Sequence, residues 1–149
     1  MSDRRLATAT RSVLLVLSDG RQLAGEMFLQ LVSPHHEGMQ RVGEVLNDEE
    51  RFLPLRRTED VILVNLDQVI SVQVGRKEEL DPLLLLGQRH LVRLETILGH
   101  RFSAEIHVNL SGSRGRVKDF LNDDKRFVAC LLPDQILYLN PRFLLTIEG

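Results

Sequence analysis

Residues 41–52 read R-V-G-E-V-L-N-D-E-E-R-F, and residues 116–127 read R-V-K-D-F-L-N-D-D-K-R-F. Two near-copies of so irregular a dodecapeptide mean that one structural unit is used twice, which restricts the fold to a pair of homologous modules. A shift of 75 lays Arg41–Val74 on Arg116–Gly149 without a gap. Identical positions are Arg41, Val42, Leu46, Asn47, Asp48, Arg51, Phe52 and Asn65, which face Arg116, Val117, Leu121, Asn122, Asp123, Arg126, Phe127 and Asn140. Upstream, a shift of 79 pairs Val13, Leu15, Gly20, Glu26 and Leu31 with Val92, Leu94, Gly99, Glu105 and Leu110. The loop S-P-H-H-E-G-M-Q of the first copy is therefore four residues longer than its counterpart, an insertion of the kind surface loops carry. The modules span about 11–74 and 90–148, joined by a leucine-rich connector, 75–89.

Within each module the hydrophobic period changes in a fixed order. Val13, Leu15 and Leu17 lie on one face of a run, Asp19-Gly20 is a turn dipeptide, and Leu23, Gly25, Met27, Leu29 and Leu31 return with period two. That pattern predicts a hairpin. Val92-Arg93-Leu94-Glu95, Gly99-His100 and the alternation from Phe102 to Leu110 repeat it in the second copy. Val42, Val45 and Leu46 then have the spacing of one helical face, as do Val117, Phe120 and Leu121. Asn47 and Asn122 suit a left-handed helix stop. Strands are expected over 51–56 and 126–131, over V-I-L-V-N and I-L-Y-L-N, and over V-I-S-V and L-L-T-I. The expected fold class is mainly β, two homologous five-stranded barrels in tandem, each with a short helix, because closure of a small sheet removes its exposed edges. Val42, Val45, Leu46 and Phe52, with their counterparts, are expected to plug the cores.

Composition narrows the function classes. With 19 basic and 21 acidic residues the net charge is −2, which offers no global attraction to phosphate. The single cysteine, Cys130, excludes an internal disulfide framework and fits a reducing compartment; its apolar neighbours suit a buried, inert thiol. The polar N-terminal stretch lacks a signal-peptide core, and the apolar run Leu83–Leu86 is far too short to span a bilayer, so a cytoplasmic location is expected.

V-L-L-V-L-S-D-G-R-Q-L-A-G-E-M resembles the first hairpin of Sm-like proteins, and V-I-L-V-N-L-D-Q-V-I-S-V resembles their closing pair of short strands around a tight corner. The resemblance covers strand order and turn chemistry over most of each module, with Ala104 standing where the first copy has Gly25. It implies SH3-like or Sm-like barrels, RNA as one class of partner, and edge strands that pair between subunits in a homo-oligomer. For RNA it implies an Asp closely followed by Asn after the second strand, and a basic or aromatic residue in the closing corner; the corners here are N-L-D-Q and N-P-R-F. The segment R-V-x-[DE]-x-L-N also resembles one in small bacterial proteins of uncharacterised function. N-L-S-G-S-R-G, residues 109–115, resembles the loop with which PilZ domains hold a cyclic dinucleotide, which implies Arg114 and Arg116 as contacts.

Candidate site residues follow. Five leucines in Leu80–Leu86 exceed what a short connector buries, so Leu83, Leu84, Leu85 and Leu86 either fill a cleft between modules or form a patch for a protein partner. Arg41, Arg51, Arg116 and Arg126 recur in both copies. They are read either as a repeated contact for an anion or acidic peptide, or as neutralising the acids beside them while covering apolar surface with their stems. His35 and His36 have no further ligand at a recognisable spacing, which favours a solvated loop over a metal site. No nucleophile–base pattern or phosphate-binding loop occurs in the chain. The expected role is thus a non-catalytic adaptor or assembly factor that binds protein and needs no cofactor or metal. An RNA-binding Sm-like protein and a cyclic-dinucleotide receptor are the alternatives.

Overall fold

The computed structural model describes residues 8–109 and 116–149. In the first half β1 (Thr8–Leu17) and β2 (Gln22–Gln30) form the hairpin, followed by α1 (Val42–Leu46), β3 (Phe52–Arg56), β4 (Val61–Asn65) and β5 (Val69–Gly75). The connector holds one short helix, α2 (Arg76–Glu79), and a 3-10 turn over Pro82–Leu85. The second half repeats the series as β6 (Gln88–Thr96), β7 (Arg101–Val108), α3 (Val117–Leu121), β8 (Val128–Leu131), β9 (Gln135–Leu139) and β10 (Leu144–Glu148). The hairpin turns take positive φ only at Gly20 and Gly99, where the absence of a Cβ removes the steric cost.

Each half has its fifth strand beside its first, but the halves do not have separate sheets. One antiparallel sheet of ten strands runs in the order β10-β6-β7-β8-β9-β5-β1-β2-β3-β4. The join is β5 against β9, with Ser71 opposite Leu139, Val72 opposite Tyr138 and Val74 opposite Ile136. Strands with V-I-S-V-Q-V and Q-I-L-Y-L sequences suit such a join, being apolar on both faces. The expectation of a mainly β chain is met, and the seam makes its ten strands one open antiparallel sheet.

The seam also makes each core draw on both halves. The first apolar cluster contains Val13, Leu29, Val42, Leu46 and Val72 of the first half and also takes in Phe127, Ile136 and Tyr138 of the second. The second cluster, around Val92, Ile106, Cys130 and Leu139, takes in Ile70 of the first half. Gly25 is needed where β3 crosses close to β2, since a Cβ there would stand 2.7 Å from the Arg56 carbonyl oxygen. Its counterpart Ala104 is accommodated because β7 and β8 meet only at Glu105 and Leu131.

Two expectations are corrected. Asn47 and Asn122 end their helices at φ −102° and −91°, and no described residue other than glycine has positive φ. Both asparagines instead turn Nδ2 back onto a carbonyl of their own helix, Gly43 and Lys118 respectively. Phe52 is not a core plug: it is 51% exposed, whereas its counterpart Phe127 is 1% exposed.

Candidate protein-interaction site

Polar groups of the repeated dodecapeptide, together with Asn140, add to the β5–β9 ladder at the seam. Asn47, at the end of α1, clamps the backbone of Phe127: its Oδ1 accepts from the Phe127 N–H at 2.9 Å, and its Nδ2 donates to the Phe127 carbonyl at 3.1 Å. Arg126 donates from Nη1 to the Glu50 carbonyl and from Nη2 to the Asp48 carbonyl, at 2.8 and 2.9 Å. Asn140, nearly fully buried, donates its backbone N–H to the Ile70 carbonyl and its Nδ2 to the Val69 carbonyl. A planar amide and a guanidinium can each satisfy two backbone groups at once, so Asn47 and Arg126 together satisfy four beside the β5–β9 ladder.

Behind the clamp lies Glu79 of α2, fully buried. Arg11 of β1 donates to one of its oxygens at 2.5 Å, while the Gly43 N–H and the Tyr138 hydroxyl donate to the other at 3.0 and 2.6 Å. A lone carboxylate at this depth would be costly; a charged partner and two further donors offset its lost hydration. Burial, reinforced by the Glu79 charge, pushes the Tyr138 hydroxyl well above the usual phenol range, so it stays a donor. Gly43 is required here, because a Cβ would lie 2.7 Å from the Tyr138 ring. Lys118 stands in its place in α3.

The connector leucines divide. Leu80 and Leu84 pack against the first core, while Leu83, Leu85 and Leu86 are exposed, Leu83 by 63%. Asp81 caps the 3-10 turn by accepting from the Leu83 N–H at 2.9 Å, and its other oxygen lies 3.2 Å from Arg41 Nη1. Arg76 ties the connector to the second half through the Leu132 carbonyl.

The four recurring arginines are not brought together. Arg41 reaches Asp81 of the connector, Arg51 pairs with Asp67, and Arg116 pairs with Asp119 one helical turn along. Arg126 bonds carbonyls across the seam, 76 and 78 residues away in sequence. His36 is held in place: its Nε2 lies 2.8 Å from Glu44 Oε2 and its Nδ1 2.7 Å from the Glu37 carbonyl. Those two acceptors, the carbonyl first, raise its pKa. Among the described residues no group of three or more His, Cys, Asp or Glu is placed to hold a metal ion. Cys130 is fully buried, and loss of hydration pushes its thiol up to about 12. Of the loop 109–115, only Asn109 is among the described residues. Among those residues, no helix is long and apolar enough to cross a membrane.

Sequence reasoning missed Asn47, Arg11, Glu79 and Tyr138 as seam residues. Their partners lie 59 to 80 residues away, apart from the Gly43–Glu79 contact at 36. The identity of Asn47, Arg51 and Phe52 between copies was the available signal. The chain matches no protein-family model, no curated protein and no solved structure.

Proposed function

We propose that each half is a small barrel of the Sm-like or SH3-like kind, and that the chain is a cytoplasmic, non-catalytic adaptor or assembly factor that binds other protein. The barrel reading is supported by the strand order of each half, in which the first strand pairs with both the second and the fifth. The buried cysteine suits a reducing compartment.

The observation that carries the adaptor reading is the exposed set Leu83, Leu85 and Leu86. It is displayed on a turn that Asp81 caps and that Leu80 and Leu84 anchor to the core. A short apolar ridge on a rigid base loses little conformational entropy when a partner covers it. Arg41, Arg51, Arg116 and Arg126 serve structural contacts in this reading.

The test is co-purification from the native host at near-native expression, comparing the wild type with a Leu83→Glu, Leu86→Glu double variant. The expected result is a protein recovered with the wild type and lost with the variant. Equal recovery by both would overturn the role of the connector. Recovery of RNA in place of protein, with an affinity that falls steeply as salt rises, would replace the adaptor with the RNA-binding alternative.

A further inference from the structure

The seam uses each half of a two-part contact only once. It takes α1 and β5 from the first copy, and the Arg126-Phe127 segment and β9 from the second. The complementary parts, the Arg51-Phe52 segment with β4 and α3 with β10, lie at the two ends of the ten-stranded sheet, and β4 and β10 are its edges, unpaired among the described residues. We propose that a second copy of this chain docks there, β4 of one molecule pairing antiparallel with β10 of the next in the arrangement of the internal seam. The inference is independent of the connector's role.

Four observations carry it. First, these parts are exposed where their counterparts at the seam are buried. Leu63 is 68% exposed where its counterpart Tyr138 is 3%, Leu145 is 60% where Ile70 is 1%, and Phe52 is half exposed where Phe127 is covered. Two apolar sheet edges of this kind are templates for strand addition. Secondly, two of the groups that close the seam, the backbone of the phenylalanine and the oxygen of the clamping asparagine, are present again and unspent among the described residues. The bond from the Leu66 N–H to the Arg51 carbonyl makes Phe52 and Asn65 a non-hydrogen-bonded pair. The Phe52 N–H and carbonyl therefore point away from β4, as a clamping asparagine requires. Asn122 Oδ1 accepts no bond from the described residues, and its Nδ2 bonds the Lys118 carbonyl just as Asn47 Nδ2 bonds that of Gly43.

Thirdly, the shift of 75 transfers the register without adjustment. Val72 opposite Tyr138 becomes Ile147 opposite Leu63, and Ser71 opposite Leu139 becomes Thr146 opposite Val64. Fourthly, the one bulky pair at the seam is exchanged in a compensating way. The Tyr138 ring lies against Gly43, and the transferred position sets the smaller Leu63 against Lys118, whose stem can cover it. Arg51, which pairs with Asp67 in the single chain, would meet the Asp123 and Lys125 carbonyls, the counterparts of the Asp48 and Glu50 carbonyls that Arg126 meets. Asn65 is likewise kept where Asn140 bonds the fifth strand of the other half.

The contact is head-to-tail, so repetition closes a ring or runs on as a fibre. The test uses full-length chains: wild type, Leu63→Lys to block the β4 edge and Ile147→Lys to block the β10 edge. Masses are read by sedimentation velocity and folding by circular dichroism. The wild type is expected above monomer mass, each variant as a monomer, and an equimolar mixture of the two as a species of two chains and no larger. In that mixture one intact β4 edge meets one intact β10 edge. A monomeric wild type at every soluble concentration, an assembly unchanged by either variant, or a mixture that stays monomeric would each overturn the proposal. Should a lysine variant fail to fold, Asn122→Ala and Phe52→Ala, both at exposed positions, take their places with the same expectations.

Discussion

Phe127 and Phe52 occupy the same position in the two copies, yet one is sealed in the core and the other is half in solvent. The same division appears in other parts of the seam and their counterparts. Val42 and Leu46 are fully buried, while Val117 and Leu121 are only partly covered. Val69, Ile70, Ser71 and Val72 are buried in β5, while Leu145 and Thr146 of β10 are exposed. Local sequence cannot explain these pairs, since most of them are identical or similar. What differs is that each copy has the other on only one of its two flanks. The residues held identical between copies, Asn47, Arg51, Phe52 and Asn65 among them, are largely those that build the flank, either in one copy or in its counterpart. The repeated dodecapeptide is therefore half of an interface as much as part of a module.

The comparison can be broken by truncating its members in turn. The largest effect is expected at the phenylalanines: Phe127→Ala should lose about 3–5 kcal/mol of unfolding free energy through the cavity it leaves. Phe52→Ala should change the stability of the single chain by no more than about 0.5 kcal/mol, as at other exposed sites. Urea unfolding of both variants measures the gap, and similar losses would mean that the seam does not decide burial. Asparagine offers a finer cut. Asn47→Ala strips the Phe127 N–H and carbonyl of their partner and should cost about 1–3 kcal/mol. Asn122→Ala removes only a bond to the Lys118 carbonyl at an exposed helix end, and should cost about 0.5 kcal/mol in the isolated chain. The two melting curves should separate accordingly.

The smallest effect concerns the loop that only the first copy possesses. His36 has a raised folded-state pKa, from the Glu37 carbonyl and then the Glu44 carboxylate. A raised value means that its contribution is fully present below the unfolded-state value of about 6.5. That contribution is lost as pH rises through the folded-state value. Glu44 stays ionised across this window because Ser33, the Arg41 backbone N–H and His36 hold its pKa down against the opposing effect of burial. Wild type and His36→Ala should thus differ in melting temperature near pH 5 and converge towards pH 8. A pH-independent difference would show that the ring acts by packing alone.

Much of this architecture is legible in the sequence. The offset of 75, the Asp19-Gly20 turn, the period-two runs and the 0, 3, 4 spacing of Val42, Val45 and Leu46 locate the duplication, the hairpins and the short helices, because each depends on neighbours a few residues away. Periodicity states which face of a strand is apolar. It does not state which edge is paired, so nothing in V-I-S-V or I-L-Y-L announces that β5 lies against β9. Nor does it reveal that Asn47, read as a helix stop, reaches Phe127 eighty residues on, or that Glu79, in a charged helix, becomes a fully buried carboxylate. Those roles exist only once two distant segments have been brought within hydrogen-bonding distance. The sequence by itself determined two copies of one unit with their strands and turns in order. Tertiary structure alone decided which flank of each copy is covered, because pairing at a strand edge is made by backbone groups that every residue carries alike.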